Sequence, residues 1–240
     1  MIDALLLDLD GTLLGMDLEA FTTAYFALLT KYFSELIPPE EMYRRVWQGT
    51  KAMISSDDGT MTNAEVFIAS FFTDLDLEVE ELMPLFDRFY REQFPALQEM
   101  TEPVPGAREL VETAKALGLK VVVATNPVFP LVALEQRINW AGLGGLSLDL
   151  ITSYEIMHFC KPNPRYYQEI ADRISISPQR CLMVGNDVEE DLVAQEIGMK
   201  TWLVERYRIS RGQYQGKPDG EGDLLVLAKK LSQWVSPKTT

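Results

Sequence analysis

The sequence predicts an α/β fold, a doubly wound parallel sheet interrupted by an all-helical insert. Three observations carry this. Short, continuously apolar runs at 4–9 (ALLLDL), 120–125 (KVVVAT) and 180–186 (RCLMVGN) have the character of strands buried on both faces. From residue 107 onward such runs alternate with amphipathic helical stretches, the pattern of a parallel sheet covered by helices. Between the first two runs, residues 17–98 keep a three-to-four-residue apolar period and contain no strand pattern.

Taken in order, the strand at 4–9 comes first. LEAFTTAYFALLTKYFSEL, PPEEMYRRVWQGT, TNAEVFIASFFTDL and EVEELMPLFDRFYREQF follow as four helices, punctuated by Pro38, Pro39 and SSDDGT. The insert carries 15 acids against 6 bases over 16–98, counted along the chain. ARELVETAKALG is a helix stopped by Gly118, and KVVVAT is the second strand. Pro130 to Ala141 reads as a helix and 148–153 (LDLITS) as a weaker strand. Asn163 suits a helix N-cap and Pro164 the first helical position, so a helix runs on through RYYQEIADRI. RCLMVGN is a strand, DLVAQEIGM a helix ending at Gly198, TWLV (201–204) a last strand, and LLVLAKKLSQWV a closing helix. The predicted division is a core of residues 1–16 plus 99–240 and a helical unit of 17–98.

Composition narrows the function. A net charge of −14 opposes any broad nucleic-acid surface and any docking on anionic membranes. No apolar run approaches the roughly eighteen residues of a membrane span. Two cysteines are too few for a disulfide scaffold and suit a reducing cytoplasm; one histidine excludes a His-rich zinc site. The first residues lack a basic segment and are interrupted by Asp3, Asp8 and Asp10, so no signal peptide is expected.

In a doubly wound sheet, ligands sit beyond the strand C-terminal ends. Those ends carry Asp8 and Asp10, then Thr125 and Asn126, then Asn186 and Asp187, with Lys161 opening a loop before a helix. Each has an ordinary explanation alone: Asp-Gly pairs make turns, Thr and Asn cap helices, lysines are solvated, and acids favour helix N-termini. Their conjunction at successive strand ends is what points to a site. Cys160 has no histidine partner in suitable context and reads as structural, His158 as a local hydrogen-bonding residue, and the insert's aromatics as mostly its own core.

That conjunction resembles the haloacid dehalogenase superfamily, most of whose members are phosphatases. DLDGT resembles its first motif, ATN its second, the lysine of CKPNP its third and GNDVEED its fourth, and the insert lies where the family's first type of helical cap lies. The resemblance implies a Mg²⁺-dependent phosphatase acting on a small phosphorylated metabolite. Asp8 would be the nucleophile and Asp10 the acid and base; dehalogenating members lack an acid at that second position. Thr125 and a backbone N–H near Asn126 would hold phosphoryl oxygens, and Lys161 would offset charge. The ion would take Asp8, the Asp10 carbonyl and an acid of the fourth motif. Counting back from Asp191 selects Asn186 for that place; the other common spacing selects Asp187, the stronger ligand because an amide adds no charge, with Asn186 sharing the shell. Thr12 and Asp191 would be supporting residues, Asp191 holding a metal-bound water or orienting Lys161. The resemblance also places the first strand between the second and the GND strand.

Alternatives are a sugar-phosphate mutase of the same superfamily, a non-catalytic phospho-acceptor domain, and an inactive fold kept for binding. Phospho-acceptor domains are about half this length and have no helical insert; every catalytic position is filled, which gives the inactive fold no support. Substrate identity and oligomeric state stay open.

Overall fold

A computed structural model describes residues 1–235. The final five positions of the predicted core lie outside them.

The first strand, β1 (Ala4–Leu7), is buried at every position. A short strand β2 (Leu14–Met16) leads into four helices, α1 (Leu18–Tyr32), α2 (Pro39–Ser55), α3 (Asn63–Phe71) and α4 (Val79–Glu92). Asp17 caps α1 by accepting from the Glu19 and Ala20 N–H groups, and Thr62 and Glu65 form a reciprocal capping box on α3. The chain returns through β3 (Thr101–Pro103), which pairs antiparallel with β2 in the register Leu14↔Pro103 and Met16↔Thr101. This two-stranded ribbon ties together the two chain ends of the helical segment. It was not predicted, because three-residue strands show no period.

The rest alternates as α5 (Ala107–Ala116), β4 (Lys120–Val123), α6 (Leu131–Trp140), β5 (Leu150–Ile151), α7 (Pro164–Ile174), β6 (Cys181–Gly185), α8 (Val188–Asp191), β7 (Lys200–Leu203), β8 (Gly220–Glu221) and α9 (Leu224–Lys230). The main sheet is parallel, in the order β5-β4-β1-β6-β7-β8. β1 therefore lies between β4 and β6, as the family resemblance implied. The chain runs outward to β5 and then returns past β1 to β6, so its direction reverses beside β1, where ligand crevices form.

Three expectations change. TWLV is not the last strand, since Gly220–Glu221 adds one beyond it. The helix expected over DLVAQEIGM is one α-turn followed by 3₁₀ turns over Leu192–Ile197, still stopped at Gly198 in the left-handed region. The strand expected at 148–153 contracts to two residues; the Asp149 and Thr152 N–H groups still donate to the Val121 and Val123 carbonyls, the Asp149 carboxylate accepts from the Val121 N–H, and the Thr152 hydroxyl turns back to the carbonyls of Val123 and Thr125.

Strand alternation sends side chains to two layers. Leu6, Val122 and Met183 pack against Tyr166, Tyr167 and Ile170 of α7. Leu5, Leu7, Val121 and Val184 join Leu110 of α5 and Leu227 of α9, and this second layer runs without a break into Phe21, Phe86 and Phe89 of the helical segment. The insert is thus not sealed from the sheet; they share one apolar cluster.

Candidate active site

Beyond β1 the backbone stays in the ladder for one more residue, with the Asp8 N–H donating to the Val184 carbonyl at 2.9 Å. The chain then turns tightly, and the N–H groups of Thr12, Leu13 and Leu14 all point to the Leu9 carbonyl. Gly11 makes the turn with φ +78°, and a Cβ there would stand 2.4 Å from the Asn186 amide nitrogen. Glycine is needed on both counts. The Thr12 hydroxyl donates to Asn186 Oδ1 at 2.9 Å, which locks the fourth motif against the first.

At the end of β4, Ala124 N–H bonds the Leu7 carbonyl, and the Thr125 carbonyl accepts from Thr152 and Tyr166 hydroxyls at 2.7 and 2.8 Å. The Thr125 hydroxyl is in none of these bonds. Asn126 Oδ1 accepts from the Lys161 backbone N–H at 3.2 Å, so the second motif positions the third.

Lys161 is 1% exposed, and its ammonium bridges two carboxylates, Asp8 Oδ1 at 2.8 Å and Asp191 Oδ1 at 2.7 Å. Burial alone would drive this ammonium down; the Asp191 and Asp8 charges outweigh it and hold it well above the ordinary lysine value. One cation shared by two acids leaves one of them under-compensated, and that is the deeper one. Burial pushes the Asp191 carboxyl up to about 7, with Lys161 pulling against it and Asp8 adding to the rise. Asp191 Oδ2 also accepts from the Asp187 N–H at 2.9 Å, and a Cβ on Gly185 would lie 1.9 Å from this oxygen. The strand must therefore end in glycine for Asp191 to fold back.

Asp10 is joined by a residue that the sequence did not single out. Arg137, on α6, pairs with Asp10 Oδ2 and lies over the Phe129 ring, 4.9 Å from its centroid. Burial pulls its guanidinium down to about 10, against the Asp8 charge, which raises it. Its signal was available: an arginine on the buried face of a helix, one turn from Ala133 and Leu134. Asp10 Oδ1 is buried and has no partner among the described residues.

The preference for Asp187 as the ion-facing acid meets an obstacle. Its carboxylate caps α8 by accepting from Glu189 and Glu190 N–H groups, and it makes a two-point pair with Arg211 at 2.9 and 2.8 Å. Arg211, from the loop after β7, was also missed. Asn186, by contrast, has its amide oxygen on Thr12 of the first motif and its NH₂ on the Tyr207 carbonyl at 2.7 Å. Cys160, which accepts from Asn63, is buried, and its thiol is pushed up to about 12 by that burial and by Glu190. The His158 ring bonds Glu169 at 2.8 Å.

The donor set suits Mg²⁺. Asp8, the orphaned Asp10 region and Asn186 offer only hard oxygen ligands, and Mg²⁺ uses one or two carboxylates with water and phosphate rather than a protein cage. Among the described residues no three His, Cys, Asp or Glu side chains form such a cage.

Comparison with known proteins agrees with the geometry. A family model described as haloacid dehalogenase-like hydrolase matches residues 2–198. Phosphatase MT3486 of Mycobacterium tuberculosis is 31% identical over 170 residues, 71% of this chain and 75% of that protein. A phosphoglycolate phosphatase of Nitrosospira multiformis is 26% identical over 97% of this chain and 96% of its own. Among solved structures, a HAD phosphatase of Thermococcus onnurineus superposes with a TM-score of 0.56 at 22% identity, covering 96% of this chain and 98% of that one. A sheet with β1 at its centre, a lysine bridging the first and fourth motifs, and a family match over most of the length give one conclusion: the chain belongs to the haloacid dehalogenase-like hydrolases.

Proposed function

We propose that this hydrolase cleaves a small phosphorylated metabolite through an aspartyl-phosphate on Asp8, with residues 17–98 acting as a helical cap over the site. The observation that carries the reading is the Lys161 ammonium held between Asp8 and Asp191, with Asp10 two residues from the nucleophile. The relatives named phosphatases support the reaction class.

Phosphate monoesters are so inert that catalysis must supply on the order of 20 kcal/mol. Asp8 divides the task. Its free carboxylate oxygen attacks phosphorus, the bond to the alcohol oxygen breaks, and Asp10 gives that oxygen a proton. Asp10 then takes a proton from water as the water attacks the acyl phosphate. Inorganic phosphate leaves and Asp8 is regenerated. The two half-reactions move the proton in opposite directions, so one carboxyl serves both. The Thr125 hydroxyl and the backbone N–H groups beside Asn126 hold the phosphoryl oxygens, and Lys161 offsets charge that grows as the bond breaks. Arg137 keeps Asp10 in place.

Bound Mg²⁺ would offset the repulsion between Asp8 and an anionic substrate. Asp8, the Asp10 carbonyl and Asn186 would hold it; the contacts of Asp187 with Arg211 make Asp187 the weaker choice. Both cysteines are free, and no helix among the described residues is long and apolar enough to cross a membrane, which supports a cytoplasmic location. The test is phosphate release over a metabolite panel with and without Mg²⁺. Asp8→Asn is expected to lose at least ~10³-fold in kcat while staying folded. Parental turnover by that variant would sink the assignment, and an isomerised product without free phosphate would make the enzyme a mutase.

A further inference from the structure

Between the helical segment and the sheet lies a chamber of about 340 Å³ that reaches Asp10. This is the size of a site for a small molecule. The sequence left open which insert aromatics face a substrate, and the chamber identifies them. Phe21, Tyr25 and Phe26 come from α1, Trp47 from α2 and Phe86 from α4, while the core supplies Phe129. Phe21 and Tyr25 of α1, and Phe86 and Tyr90 of α4, stand four residues apart, so these two helices each turn an aromatic face inward.

Some polar groups of this wall are already paired, while Asp10 Oδ1 and the Nε and Nη1 of Arg137 have no partner among the described residues. The Tyr25 and Tyr90 hydroxyls bond each other at 2.8 Å, and the Thr50 hydroxyl bonds the Val46 carbonyl at 2.8 Å. The charged side chains on the wall are Asp10, Arg137 and Glu190. Arg137 is the one cation among them, and Asp10 already neutralises it. A ligand with a second anionic group would enter a space whose single lining cation among the described residues is already paired with Asp10, and would face the Glu190 carboxylate besides. Burying a charge without a partner is strongly unfavourable, whereas an apolar ring meets aromatic faces on several sides.

We propose that this chamber receives the alcohol portion of the substrate and selects monoesters of apolar, ring-sized alcohols over esters that carry a second anion. The proposal rests on the phosphatase reading above. It separates this enzyme from relatives named for phosphoglycolate and pyrophosphate, whose named compounds carry that second anionic group.

Three esters of primary alcohols test it: 2-phenylethyl phosphate, ethyl phosphate and phosphoglycolate. Their leaving groups are of similar basicity, so chamber fit decides the order of kcat/KM, measured by phosphate release with Mg²⁺. The phenylethyl ester is expected to exceed both others by on the order of 30-fold. Equal values, or the reverse order, overturn the selection and leave the phosphatase reading standing. Cleavage of no ester refutes the phosphatase reading instead. Selection is then decided by calorimetry with 2-phenylethylphosphonate against ethylphosphonate: tighter binding of the first supports the chamber assignment, and equal binding overturns it. Location is tested with Thr22→Trp, which adds bulk to the chamber wall. The phenylethyl-to-ethyl ratio should collapse toward one; an unchanged ratio puts the selecting surface elsewhere.

Discussion

Lys161 Nζ and Asp8 Oδ1 stand 2.8 Å apart although 153 residues separate them in the chain. The same ammonium holds Asp191 on its other side, so three of the four motifs meet at one nitrogen. A charge this deep is stable only because both acids are present.

Replacing the lysine separates its two duties. Lys161→Met keeps the length and most of the volume of the side chain but leaves two buried carboxylates facing each other. Removing one partner of a buried ionic cluster costs about 3–5 kcal/mol, so denaturant unfolding should show a loss of that order. Turnover should fall by ~10²–10³, the scale of losing one preorganised electrostatic group. Asp8→Asn/Lys161→Met relieves the facing carboxylates and should recover part of the stability without recovering activity. A double variant no more stable than Lys161→Met would show that the pair is not coupled.

The fourth motif makes a second prediction, about the metal. Asn186 faces the first motif through Thr12, whereas Asp187 is held by Arg211 and two helix N–H groups. Asn186→Ala should raise the Mg²⁺ concentration for half-maximal activity by about tenfold or more. Asp187→Asn should leave that concentration within about threefold and lower the melting temperature, because it removes the charge of the two-point Arg211 pair while its amide oxygen can still cap α8. The opposite pattern would return the ligand role to Asp187.

The legible part of this molecule was the part written in local pattern. The runs ALLL and CLMVG are buried throughout, KVVV is buried after its exposed Lys120, and each ends where a motif begins. Asn163 caps α7 through the Arg165 N–H at 2.9 Å, with Pro164 behind it, as the residue types indicated. What escaped has no local period. The β2–β3 ribbon and β8 are two or three residues long. Arg137 and Arg211 act on residues 127 and 24 positions away, and no spacing rule reports an ion pair across the fold. The choice between Asn186 and Asp187 is similar: charge favours the aspartate, but the loop carrying Arg211 takes it.

Arg137 yields a third prediction. It holds Asp10 Oδ2 and lies on Phe129 at once, a task that a planar guanidinium performs and an ammonium does not. Arg137→Met should reduce kcat by roughly 10–100-fold with KM for phosphate esters within about threefold, the pattern of a residue that positions the acid rather than binding substrate. Arg137→Lys should rescue little. A rise in KM alone would make Arg137 a substrate contact instead.

The last prediction concerns high pH. Burial pushes the Tyr25 hydroxyl from 10.0 up to about 12, with its bond to Tyr90 pulling the other way, and it pushes the Cys160 thiol from 9.0 up to about 12. Burial also raises Tyr90, Tyr166 and Tyr167 above the ordinary tyrosine value. In each case the folded chain keeps a proton that the unfolded chain releases. The unfolded state binds fewer protons above pH 9 for the thiol and above pH 10 for the phenols, so stability falls as pH rises through that range. Each such group contributes a slope of up to ~1.4 kcal/mol per pH unit between its unfolded and folded values, and several act together. Stability should be flat below pH 9 with respect to these groups and drop steeply from pH 10 toward 12, ending in cooperative unfolding. An alkaline titration followed by tyrosinate absorbance and far-ultraviolet circular dichroism checks this. The buried phenols should ionise together with the loss of helix signal. Ionisation of all nine tyrosines near pH 10 with the helix signal intact would contradict the packing of α1, α4 and α7 described above.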